Sequence, residues 1–123
     1  MNKALIVDDD EIFLFLIKSL FKKNFPEVRL DTCLHGEEAL DYLKNDQPDV
    51  VFLDINMPVL NGWEFMNKID AVVPADQKLK IYIVSSSIDP RDHKIAEEDR
   101  RISGFIEKPL TAKKLEELSL DWL

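Results

Sequence analysis

The sequence predicts an α/β fold in which a parallel five-stranded sheet carries helices on both faces. Short apolar segments alternate with longer amphipathic ones, five times over, along 123 residues. A repeated strand–helix alternation closes into a parallel sheet through right-handed crossovers. The segment Val50-Val51-Phe52-Leu53 is apolar without a break, as a strand buried on both faces is. Four of the apolar segments lead into Asp8, Asp54, Ser85 and Lys108, and a parallel sheet brings all such strand ends to one edge.

The elements follow in order. Ala4 to Val7 reads as the first strand and runs into Asp8-Asp9-Asp10-Glu11. A helix follows, with Phe13, Leu16, Ile17, Leu20 and Phe21 spaced along one face and Asp9 or Asp10 as its cap. Leu14 and Phe15 lie off that stripe. Lys22, Lys23, Asn24 and Pro26 end the helix. Val28 to Leu34 alternates as a second, less buried strand. Gly36 to Asn45 is helical with Ala39, Leu40 and Leu43 inward, and Gln47-Pro48-Asp49 breaks it before the third strand. A helix over Gly62 to Val72 places Trp63, Phe65, Met66 and Ile69 in the core. Lys80 to Val84 forms the fourth strand, closed by Ser85-Ser86-Ser87. The stretch from Asp89-Pro90 to Arg101 has Ile95 and Ala96 as its apolar residues, so it predicts a helix lying thinly on the sheet. Ser103 to Pro109 contains the fifth strand, and Ala112 to Leu120 the last helix, with Leu115 and Leu118 inward.

The length suits one domain with one core, so residues 1–123 are expected to be a single domain. The longest apolar run, Ile12 to Ile17, has six residues, far short of the roughly 20 that span a bilayer. Charge at Asp8 comes too early for a signal peptide, and the lone Cys33 offers no internal disulfide. Together these predict a cytoplasmic location. The formal net charge of −8 argues against direct contact with nucleic acid or anionic membrane.

The strand ends hold the chemistry. If the first and third strands are neighbours, as in the flavodoxin-like order 2-1-3-4-5, Asp8, Asp9 and Asp54 meet at the topological switch point, where open α/β sheets bind ligands. Two carboxylates about 4 Å apart repel by roughly 4 kcal/mol at an effective dielectric of ~20, and Lys108 alone does not neutralise three. Either one acid keeps its proton or a cation binds. An all-oxygen set with room for water suits Mg²⁺ rather than zinc. His35 and His93 are away from the strand ends and read as surface histidines. A magnesium ion beside Asp54, Lys108 and the Ser85 hydroxyl is an apparatus for phosphoryl transfer, with Asp as a competent nucleophile.

Val7-Asp8-Asp9, Leu53-Asp54-Ile55-Asn56-Met57-Pro58 with Gly62, Val84-Ser85-Ser86 and Gly104-Phe105-Ile106-Glu107-Lys108-Pro109 together resemble the receiver domain of two-component response regulators, the CheY-like domains. The resemblance covers nearly the whole chain. It implies a flavodoxin-like (βα)5 three-layer sandwich with Asp54 as phospho-acceptor, Asp9 a direct Mg²⁺ ligand and Asp8 a ligand through water. The backbone carbonyl of Asn56 would complete the protein ligands. Ser85 takes the place of the switch Ser or Thr, Phe105 that of the switch aromatic, and Lys108 that of the phosphoryl-binding lysine, with a cis Lys108-Pro109 peptide. It also implies a sensor histidine kinase or phosphotransfer protein as donor and a partner protein bound by the fourth helix, fifth strand and fifth helix. Such a domain is not an enzyme in its own right, although it assists its own aspartyl phosphorylation and dephosphorylation.

Phe105 lacks the hydroxyl of a Tyr at the switch position. The small Ser86 and Ser87 leave water access to the site, which predicts a short-lived phosphoryl group. Off-stripe Leu14 is the expected contact with the donor. Two rivals stand beside this reading. A haloacid-dehalogenase-type phosphatase would have an Asp-x-Asp pair after its first strand, whereas here Asn56 replaces the second acid after the third. A pseudo-receiver that binds partners unphosphorylated is opposed by the intact set Asp8, Asp9, Asp54, Ser85 and Lys108.

Overall fold

The structure, a computed structural model, describes residues 2–74 and 77–122. Strands β1 (Lys3–Val7), β2 (Arg29–Cys33), β3 (Val50–Leu53), β4 (Lys80–Ser85) and β5 (Ile102–Glu107) alternate with helices α1 (Glu11–Asn24), α2 (Gly36–Asn45), α3 (Gly62–Lys68), α4 (Pro90–Glu98) and α5 (Ala112–Trp122). The sheet is parallel throughout, in the order β2-β1-β3-β4-β5. This is the flavodoxin-like arrangement the sequence implies. No helix among the described residues is long and apolar enough to cross a membrane.

Strand alternation divides the core in two. Leu5, Val7, Val51, Leu53, Ile81 and Ile83 face α2, α3 and α4. Ala4, Ile6, Val50, Phe52, Tyr82 and Val84 face α1 and α5. The second face is the aromatic one. Phe52 stacks on Tyr82 with ring centroids 5.8 Å apart and meets Trp122 and Phe21 edge-on at 6.3 and 6.2 Å.

Helix α1 is turned away from the expected stripe. Leu14, Ile17 and Phe21 are its buried residues, with Leu14 5% exposed and Leu16 57%. Six consecutive apolar residues supply more than one possible face, and docking Phe21 against Phe52 selects the face that carries Leu14. Phe13 and Leu20 pack partly at its border, while Ile12 and Phe15 stand in solvent. Leu14 is therefore a core residue, and its expected contact with a donor loses its basis.

Other differences lie at element ends. Helix α3 stops at Lys68 and tightens into a 3₁₀ turn, Ile69–Ala71. Helix α5 continues past Leu120 to Trp122, whose ring anchors it. Helix α4 ends at Glu98, and Ala96 is the residue it buries, which matches the thin contact the sequence predicts. The pairing of β4 with β5 shifts after Ile81, so that Ser103 is passed over and Ser85 comes opposite Glu107. Lys108 then follows at the sheet edge.

Candidate functional site

The ends of β1, β3, β4 and β5 form the site. The amide of Asp8 donates to the Cys33 carbonyl and that of Asp54 to the Val7 carbonyl, each at 3.0 Å. These bonds carry the sheet pairing one residue beyond the strands and fix both acids at the edge. The Lys108 amide donates to the Ser85 carbonyl at 3.0 Å and does the same for β4 and β5. After Asp54 the chain turns through Pro58 and Val59, the latter at φ 68, a left-handed conformation that is strained for a β-branched residue. The turn returns the Gly62 amide to the Ile55 carbonyl at 3.1 Å. Only glycine fits at position 62, because a Cβ there would lie 2.6 Å from the Ile55 Cα.

Asp8, Asp54 and Ser85 are buried, 1%, 5% and 0% exposed, and Asp9 is open to solvent. Carboxylate oxygens of Asp8, Asp9 and Asp54 lie within 4.8 Å of one another. Lys108 Nζ donates to Asp8 Oδ2 at 2.9 Å and stands 3.5 Å from Asp54 Oδ2. It also sits over the Phe13 ring, 4.4 Å from its centroid, a cation–π contact. The other oxygens are held by the backbone: the Asp10 amide donates to Asp8 Oδ1 at 2.9 Å and the Asn56 amide to Asp54 Oδ1 at 3.0 Å. Asp10 is the cap of α1, accepting from the Ile12 and Phe13 amides.

Burial pushes the Asp8 carboxyl above its ordinary range, against the opposing pull of the Asp10 amide and Lys108. For Lys108, burial pulls the ammonium down, but Asp8 and Asp54 outweigh it and the net shift is upward. One ammonium thus serves three clustered carboxylates, and Asp8 carries an unmet electrostatic cost. That excess, with an all-oxygen donor set and one ligand exposed to water, fits a hard divalent cation such as Mg²⁺.

The Ser85 hydroxyl accepts from Asn56 Nδ2 at 3.2 Å and from the Ser87 amide at 3.1 Å. Phe105 is half-buried on β5 and packs against the cluster under α4. The Lys108-Pro109 peptide is cis. His35 is an exposed residue preceding α2. His93 departs from the surface-histidine reading: its ring lies 3.9 Å from that of Phe105, and its Nε2 is 3.3 Å from the Ser87 carbonyl. Phe13, Trp63, Asp92 and His93 are the neighbours that sequence reasoning missed, whereas Asp10 was expected as a helix cap and Ser87 as a small residue beside the site. The polar character of α4 was visible, whereas its pairing with β4, β5 and α3 depends on crossings that periodicity does not encode. Cys33 is buried and unpaired, its thiol pushed up to about 12 by burial and by Glu38, so it stays protonated and inert.

Residues 4–119 match the family model of the response regulator receiver domain, and the chain belongs to that family. It resembles a two-component response regulator from Cytophaga hutchinsonii at 31% identity and a TM-score of 0.84, covering 98% of this chain and 95% of that one. A response regulator receiver protein from Dyadobacter fermentans is similar at 30% identity and a TM-score of 0.85, covering 99% and 98%. Among curated proteins, a protein-glutamate methylesterase/protein-glutamine glutaminase of Bacillus licheniformis is 38% identical over 70% of this chain, which spans 23% of that relative. The corresponding Clostridium acetobutylicum protein is 31% identical over 94% of this chain, which spans 34% of it. The shared part is the receiver domain of two-component signalling, a domain that works between a phosphodonor and a downstream target.

Proposed function

We propose that this chain is a single receiver domain, residues 1–123, acting in the cytoplasm as a phosphorylation-driven switch. A sensor histidine kinase or phosphotransfer protein donates a phosphoryl group to Asp54. The observation that carries this reading is the buried Asp54 carboxylate, flanked by two further carboxylates and within 3.5 Å of a lysine ammonium.

A carboxylate oxygen of Asp54 attacks phosphorus, and the P–N bond of the donor phosphohistidine breaks with its electron pair returning to the imidazole. Asp9, Asp54 and the Asn56 backbone carbonyl, with Asp8 through water, would hold Mg²⁺, which would supply positive charge to neutralise the phosphoryl oxygens. Lys108 supplies the opposite charge from β5, and Phe13 keeps its ammonium over the site. The Ser85 hydroxyl turns from Asn56 and Ser87 to donate to a phosphoryl oxygen, and Phe105 follows inward. Phosphorylation thereby shifts the population toward a form whose α4, β5 and α5 surface binds a partner protein. The chain turns over no external substrate but assists formation and hydrolysis of its own aspartyl phosphate.

The test is incubation with Mg²⁺ and acetyl phosphate or beryllofluoride. A stoichiometric, Mg²⁺-dependent adduct that is lost in Asp54→Asn is expected. Multiple turnover of small phosphate esters, or no adduct in the native protein, overturns the reading.

A further inference from the structure

Helix α4 buries little apolar surface, yet its first turn is tied at both sides by one side chain. Asp92 Oδ1 accepts from Trp63 Nε1 on α3 at 3.1 Å, and Asp92 Oδ2 accepts from the Ser87 hydroxyl at 2.5 Å. The Ser87 amide in turn donates to the Ser85 hydroxyl. Four links therefore run without a break from the site to α3: Asn56 to Ser85, Ser85 to Ser87, Ser87 to Asp92, and Asp92 to Trp63. The far end is fixed, since Phe65 and Met66 of α3 are core residues. The Ser87 hydroxyl also accepts from the Asp89 amide, the cap residue of α4, at 3.2 Å.

We propose that Asp92 is a latch residue, bridging Trp63 and Ser87 so as to hold the β4–α4 segment in its resting position and set the equilibrium of the switch. This rests on the phosphorylation reading given above. If the Ser85 hydroxyl turns toward a phosphoryl group, it forsakes the Ser87 amide. Ser87 cannot follow it while its hydroxyl is bound to Asp92, and Asp92 cannot follow while it holds Trp63. A link must break for the switch to move. Because α4 has so little apolar burial to hold it, that link weighs heavily in the balance. Asp92 acts through Ser87 and is a positioning residue. It touches neither the phosphoryl group nor the metal.

The bridge has its own spectroscopic reporter. The chain has two tryptophans. The Trp63 indole N–H is bound to a carboxylate, whereas the buried Trp122 indole N–H has no partner among the described residues. Their N–H resonances are separable, and only the first belongs to the latch.

The experiment titrates the Mg²⁺-loaded protein with beryllofluoride, reading affinity by adduct formation and the two indole N–H resonances by NMR. Native protein, Asp92→Ala, Asp92→Asn and Trp63→Phe are compared. Adduct formation in the native protein should move the Trp63 resonance and leave that of Trp122 in place. Asp92→Ala removes both bonds of the bridge from the resting form and should tighten apparent affinity by about three- to tenfold. Trp63→Phe should act in the same direction. Asp92→Asn keeps an acceptor for Trp63 and an amide for Ser87 while losing the charge at the helix start, so it should restore near-native affinity and the Trp63 shift. Unchanged affinity in both Asp92→Ala and Trp63→Phe, with a normal adduct in the native protein, overturns the latch and leaves the switch standing. So does an Asp92→Asn variant that behaves as Asp92→Ala, because charge rather than bridging would then be responsible. No adduct in the native protein overturns both.

Discussion

At the scale of single residues, the acids of the site differ by environment. Asp8 is buried and its carboxyl is raised, by burial first. Its contribution to stability is full below the ordinary Asp value and is lost as pH rises through the raised one. In metal-free protein at neutral pH the ionised Asp8 is therefore a cost. Asp8→Asn keeps an acceptor for Lys108 and removes that cost, so thermal melting without metal should show a higher Tm than native at pH 7, by about 4 °C for each kcal/mol recovered. The gap should narrow as pH falls through the raised Asp8 value toward the ordinary Asp range and native Asp8 takes up its proton. Adding Mg²⁺ should raise the native Tm by ligand linkage and the variant's much less. Equal Tm values for the two proteins at neutral pH would dismiss this account. Asp8, Asp9, Asp54, Ser85 and Lys108 could be picked out in the sequence because each ends an apolar segment, and chain direction alone sends such ends to one edge. Phe13 could not be, because the contact of its ring with Lys108 joins the start of α1 to the end of β5.

At the scale of elements, α1 is the instructive case. Its hydrophobic spacing identified the helix and its length, but the stripe read from it put Leu16 inward and Leu14 off the face, because a run of apolar residues on every side does not by itself select a rotation. The aromatic cluster of Phe21, Phe25, Phe52 and Trp122 decided it. Leu14→Ala should then cost about 2–5 kcal/mol of unfolding free energy, while Leu16→Ala should stay within about 0.5 kcal/mol, as measured by urea denaturation. Comparable losses in the two would restore the rotation read from the sequence. Helix α4 poses the reverse problem. Its weak amphipathicity was legible and is correct, but weak apolar contact is not weak attachment: Asp92, Ser87 and the His93–Phe105 stack supply polar and aromatic ties that hydropathy cannot display.

At the scale of the whole molecule, charge is the governing asymmetry. A net charge of −8 opposes the compact state, and phosphorylation of Asp54 would add about one more negative charge, since a phosphoryl group of about −2 takes the place of the carboxylate's single charge. Raising NaCl from about 10 to about 150 mM shortens the screening length to near 8 Å and should raise the Tm of metal-free protein. Mg²⁺ at equal ionic strength should raise it further, since it neutralises one cluster rather than the solvent average. If the two salts act alike at matched ionic strength, the acidic cluster has no special hold on the divalent ion. The parallel sheet with helices on both faces was legible at this scale from alternation and crossover handedness, while its strand order came from the resemblance to the receiver family.

The division of the core by the sheet has a mechanical consequence. One side is a stiff laminate of interlocked rings beneath α1 and α5. The other ends, under α4, in a helix clamped at its first turn and otherwise almost unsupported. The rest of that side is held firmly by the core residues of α2 and α3, so a plate pinned only at its α4 corner deflects at that corner. Strain entering at the edge where Asp54 lies is absorbed very little by the laminated side, and so the molecule has, in effect, one direction in which to yield.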